Sequence, residues 1–108
     1  MPRKKTRPPR PLIASRDEAP DRSTKERDQL IALGMAVRAF REQRTLTVSA
    51  LAASAGIEPK SILALEDGRL DPPYDLLLIL ADAMDLHASA LILRAEELGQ
   101  TTKRRDAV

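Results

Sequence analysis

A chain of 108 residues without cysteine has room for one small domain and its tails, held by side-chain burial alone, with no disulfide and no thiolate metal site. Its formal net charge of +2 conceals an uneven distribution: residues 1–29 carry nine Lys/Arg against five Asp/Glu, residues 30–97 six against ten, and residues 98–108 three against one. The basic MPRKKTRPPRP start has no apolar run behind it, and nowhere do apolar residues approach the roughly 18 in succession that a membrane span needs. The expectation is a soluble, cytoplasmic protein with an acidic core and basic ends.

Residues 1–29 hold five of the eight prolines and almost no apolar side chains beyond Leu12 and Ile13, the composition of a disordered arm. Its first ten residues carry Arg3, Lys4, Lys5, Arg7 and Arg10 and no acid. Ser23 and Glu26 have the spacing of a capping box, so order is expected to begin between Ser23 and Leu30. From Leu30 to Arg44, Leu30, Leu33, Val37 and Phe40 recur at steps of three and four, which predicts an amphipathic helix with Arg38, Arg41 and Arg44 on its flanks. Thr45 and Leu46 form a brief connection.

Thr47 to Gly68, TVSALAASAGIEPKSILALEDG, reads as two short helices about a tight turn. Thr47 is a good N-cap, and Leu51, Ala52 and Ala55 share the buried face. Gly56 accepts the left-handed conformation that ends a helix sharply, and Ile57 plugs the core behind it. Pro59 suits the first position of the next helix, Glu58 favours the positive end of its dipole, and Gly68 stops it after Ile62 and Leu65.

Asp67 to Pro73 is a polar loop, followed from about Tyr74 by a fourth helix with five consecutive apolar residues at 76–80. Such a run covers the whole circumference. Leu77, Leu80, Ala81 and Met84 are assigned to the core, and Leu76 and Ile79 to a partner surface, most simply a homodimer seam, against the alternative that the fifth helix or the arm covers them. His87 to Glu97 forms a fifth helix with Leu91, Ile92 and Ala95 inward, and Gly99 to Val108 returns to loose, basic sequence. The domain is thus placed at 30–97, between a disordered basic arm at 1–29 and a short flexible tail at 98–108.

Catalysis has little to stand on: His87 is the lone histidine and has no nucleophile at a motif spacing. Asp67, Asp71, Asp75, Asp82 and Asp85 lack the spacing of a calcium loop, and no glycine-rich phosphate loop occurs, so neither metal nor cofactor is expected.

Positions 33–93 resemble the Cro/C1-type helix-turn-helix domain, also called the xenobiotic-response-element (XRE) type. The likeness lies in VRAFREQRTLT, LAASAGI, SILALEDG and PYDLLLILADAMDL, in that order and at the right spacing. It implies an all-α, five-helix, lambda-repressor-like fold and a sequence-specific regulator of transcription that binds double-stranded DNA. It also implies an ion pair between Arg41 and Glu66, and the place of Glu66 near a helix C-terminus agrees, since an acid there is unfavourable without a compensating cation. In such domains the third helix enters the major groove. Carried over, Pro59, Lys60 and Ala64 face bases with Ser61 beside them, and Arg38, Thr47, Val48, Glu58 and Arg69 face phosphates.

The chain departs from the pattern at Val48, Pro59, Leu63 and Ala64, which offer no side-chain hydrogen bonds, and at Glu58, which repels a phosphate. Two functions follow. The first is a DNA-binding regulator, a dimer whose arm adds phosphate contacts. The second is an interaction or antitoxin-like adaptor module that binds a regulatory protein partner through Leu63, Leu76 and Ile79, with weak DNA contact.

Overall fold

The computed structural model describes residues 24–107, and the side chains of 24–100. The arm cations Arg3, Lys4, Lys5, Arg7 and Arg10, and the Ser23 cap, lie outside the described residues. Five helices follow in order: α1 (Thr24–Gln43), α2 (Val48–Ala55), α3 (Pro59–Glu66), α4 (Tyr74–Ala83) and α5 (Ala88–Ala107), with no strand among the described residues.

α1 forms because Leu30, Leu33 and Val37 place one apolar stripe on a single face, widened by Ala32 and Ala36, and all five are buried. It begins at Thr24, so residues 24–29 are helical and continuous with the rest of α1. Gly34 interrupts the stripe for a reason that periodicity does not show. A Cβ there would overlap the Leu65 carbonyl oxygen and stand 2.6 Å from that of Glu66, so α1 crosses the end of α3 backbone to backbone. Mid-helix glycine costs about 1 kcal/mol in helix propensity, which the close crossing offsets.

The first four helices all end in the same way. After α1, α2, α3 and α4 comes one residue with positive φ, respectively Thr45 (52°), Gly56 (71°), Gly68 (76°) and Asp85 (59°). The amide of the next residue donates to a carbonyl five back: Leu46 to Arg41, Ile57 to Ala52, Arg69 to Ala64 and Leu86 to Ala81, at 2.8–3.1 Å. This is the Schellman arrangement, which satisfies orphan carbonyls and turns the chain away within two residues. Gly56 and Gly68 are legible as stops, whereas Thr45 and Asp85 adopt the left-handed region without being glycine.

In α4 the structure corrects the sequence reading. Leu76 is fully buried and is not part of a partner surface, because Leu76, Leu80 and Met84 recur at steps of four and aim together into the core. Leu77 is half-buried beside them, and Leu78 and Ile79 take the outer side. In α5, Leu91 is buried and the half-buried Ala95 and Leu98 continue its face, which turns Ile92 outward instead of inward. α5 also runs past Glu97 to Ala107. Gly99 does not stop it: no proline comes after, and the residue stays helical where a Cβ would stand 3.7 Å from the Ala32 Cβ, an ordinary contact. The α1–α5 pair is the most extensive of the helix pairs, and it backs α3 through α1 and α4 through α5.

Candidate nucleic-acid interface

Thr47 caps α2: its φ of −79° and ψ of 163° are extended, and its hydroxyl oxygen accepts from the Ala50 amide at 3.0 Å. The turn at Gly56 and Ile57 then redirects the chain, and α3 leaves α2 at a bend of 113°, within the roughly 90–120° of helix-turn-helix units. Pro59 opens α3 at a position that needs no amide donor.

One side chain fastens both ends of this unit. Arg41 on α1 donates from Nε to Glu66 Oε2 at 2.7 Å and from Nη2 to Glu66 Oε1 at 3.1 Å, while its Nη1 donates to the Leu46 carbonyl at 2.8 Å. Both partners are largely shielded, with side-chain exposures of 12% and 6%. Arg41 thereby ties the end of α3 to the approach to α2. The hydrogen bond to Glu66 holds the Arg41 guanidinium above its ordinary pKa; burial opposes this, and the carboxylate's charge adds to it. A second arginine, Arg44, donates to the Met84 carbonyl after α4 and lies over the Phe40 ring, 5.5 Å from its centroid. It supplies a cation where the dipole of α4 favours one.

The outer face of α3 differs from the expectation in part. Pro59 and Lys60 are exposed, the Lys60 side chain to 83%. Ser61 is buried with Ile62 and Leu65 on the inner face, so its hydroxyl is not presented to a base. Its position one turn before Leu65 is the sequence signal for that burial. Ala64 is half-buried against the core, and Val48 at the start of α2 likewise packs against it. What faces outward in their place is Leu63, exposed in the middle of α3.

The cations around this face each have an acid beside them. Arg38 bonds Glu42 at 3.0 Å, Lys60 stands 3.9 Å from Glu58, and Arg69 stands 3.4 Å from Asp67. Glu42 raises the pKa of Arg38, first through the hydrogen bond and then through its charge. All three pairs are exposed, and exposed pairs are weak, so a phosphate can displace a carboxylate at little cost. The face nevertheless carries no net positive charge from these residues, and its electrostatic attraction for DNA is small.

Among the described residues no group of three or more His, Cys, Asp or Glu is placed to hold a metal ion, and no single helix is long and apolar enough to cross a membrane.

A family profile for the helix-turn-helix domain matches residues 32–91, more than half of the chain. The chain belongs to the helix-turn-helix domain family. Among solved structures, this helix-turn-helix protein is similar to the clp gene regulator ClgR from Corynebacterium glutamicum. In one crystal structure the identity is 25%, the TM-score 0.67, and the match covers 73% of this chain and 85% of that one. In a second the values are 28%, 0.62, 64% and 90%. It is also similar to the restriction-modification controller protein C.AhdI from Aeromonas hydrophila, at 26% identity and a TM-score of 0.57, covering 57% of this chain and 94% of that one. A comparison with curated proteins finds no match. The likeness is to Cro/C1-type regulators, and the chain is a DNA-binding transcription regulator of that type.

Proposed function

We propose that this regulator binds duplex DNA as a homodimer, each copy laying α3 in the major groove, and controls transcription by occupying a promoter. The observation that carries the reading is the 113° helix-turn-helix with Lys60 exposed in the first turn of α3. Lys60 donates to the O6 and N7 acceptors of a guanine, and Pro59 lies against the neighbouring base edge. Thr47 and the backbone amide of Val48, at the start of α2, bind one phosphate; Arg38 and Arg69 bind others after leaving their carboxylates. Glu58 repels phosphate and lowers affinity for DNA of any sequence. Ser61 and Ala64 have no part in base reading.

Because the face is nearly neutral, counterion release falls to Arg3, Lys4, Lys5, Arg7 and Arg10 in the arm. The homodimer seam includes Ile79 and the neighbouring Leu78, whose exposed apolar surface on α4 serves no core. Two half-sites about 34 Å apart are then read together. The likeness to the regulators ClgR and C.AhdI supports a role at promoters.

The matched charges and the sparse hydrogen bonding of α3 also favour a second reading, an adaptor that binds a regulatory protein through Leu63 and Ile79. Fluorescence anisotropy separates the two, using random duplex DNA across a salt series for the full chain and for a chain lacking residues 1–22. The DNA reading expects a steep salt dependence whose slope drops by up to about 4.5 without the arm, about 0.9 for each of the five cations. Absence of binding by either chain at low salt would leave only the adaptor.

A further inference from the structure

Leu63 occupies the centre of the α3 face that meets DNA in the proposed function, and its role as inferred here rests on that reading. It is 50% exposed, while Ile62 and Leu65, with Ala64 half-buried beside them, make the apolar contribution of α3 to the core without it. Lys60 and Leu63 are three residues apart, so they stand one above the other on one face of the helix. Their attachment points differ by about 4.5 Å along α3, slightly more than one base-pair step of about 3.4 Å. A groove that admits Lys60 to one base pair therefore receives Leu63 at the next pair or the one after.

An isobutyl group at that depth has few acceptable neighbours. Against guanine, adenine or cytosine edges it would strip water from donors and acceptors and return no hydrogen bond. Thymine alone presents an apolar group there, the 5-methyl. We propose that Leu63 is a specificity-determining residue, selecting thymine one or two base pairs from the guanine bound by Lys60. The half-site so described pairs a hydrogen-bonded position with an apolar one, which explains how a helix with a single polar reader discriminates sequence.

The test begins with selection of a site from a random duplex pool by the full chain, followed by anisotropy with the selected duplex. Deoxyuridine replaces the thymine, which removes only the methyl, and both duplexes are measured with wild type and with Leu63→Ala. Leu63 is exposed on a helix and alanine is the best helix former, so the variant folds, as circular dichroism will confirm. Wild type is expected to lose about fourfold in affinity on loss of the methyl, the worth of one buried carbon, and Leu63→Ala to be nearly indifferent to it. Leu63→Gln is expected to move the selected base from thymine towards adenine. Equal sensitivity of both proteins to deoxyuridine, or of neither, with binding otherwise intact, overturns the role of Leu63 and leaves the major-groove reading standing. If no duplex is selected and none binds at low salt, that reading fails and the role of Leu63 fails with it.

Discussion

Replacing Arg41 by alanine removes both hydrogen bonds to Glu66 and the one to the Leu46 carbonyl. It leaves a carboxylate with 6% exposure at the last residue of α3, where the helix dipole opposes it. Breaking a buried pair from one side costs about 3–5 kcal/mol, and the residual exposure here points to the lower half of that range. Glu66→Ala should cost less, about 2 kcal/mol, because Arg41 keeps the Leu46 carbonyl and some water. The double variant should be more stable than the sum of the two losses implies, by at least about 1 kcal/mol. Urea unfolding followed by far-ultraviolet circular dichroism is the assay, since the chain has no tryptophan. The raised pKa of Arg41 means that, with the Glu66 carboxylate ionised, its contribution is present through neutral and mildly alkaline pH and is lost on the alkaline side only as pH climbs through the raised value. The Arg41→Ala penalty should therefore be the same at about pH 7 and about pH 9. A loss under about 1 kcal/mol, or strict additivity, would refute the fastening role.

Four further sites probe the frame around the interface. Gly34→Ala forces a methyl against the Leu65 and Glu66 carbonyls and should destabilise by about 1–3 kcal/mol in spite of alanine's better helix propensity, seen as a lower urea midpoint. Thr45→Gly relieves a β-branched residue at a φ of 52° and should raise the thermal midpoint by several degrees, corresponding to about 1 kcal/mol. Leu76→Ala should cost about 2–5 kcal/mol in a urea titration, whereas Ile79→Ala should leave monomer stability nearly unchanged and weaken self-association in sedimentation equilibrium.

Much of the frame is legible in the sequence because its signals are local. The stripe from Leu30 to Val37, the Thr47 cap, the Gly56 turn and Pro59 each encode a conformation within one or two helical turns, and the structure has them. Arg41 and Glu66 are 25 residues apart, and only family likeness and the charge of a helix end connect them in advance. Features that arise between elements are not legible. Gly34 looks like a weak helix residue until α3 is laid across it, and Arg44 looks like a solvent cation until Met84 offers its carbonyl. Leu76 is wrongly assigned to a partner surface because five consecutive apolar residues erase the periodicity that would show which of them turn inward. Ser61 misleads for a different reason. A hydroxyl beside Lys60 suggests readout, although its place one turn before Leu65 puts it on the core side.

If α3 reads base edges in the major groove with Lys60 as its polar reader, binding must depend on a guanine acceptor in that groove. Anisotropy titration of a selected duplex in which each guanine is replaced by 7-deazaguanine measures this most directly, because the change removes the N7 acceptor and leaves pairing and the minor groove unchanged. Loss of a charge-assisted hydrogen bond should weaken wild-type binding by roughly tenfold, and Lys60→Ala, already weakened, should not respond. Unchanged wild-type affinity for the substituted duplex would contradict a base-reading role for Lys60.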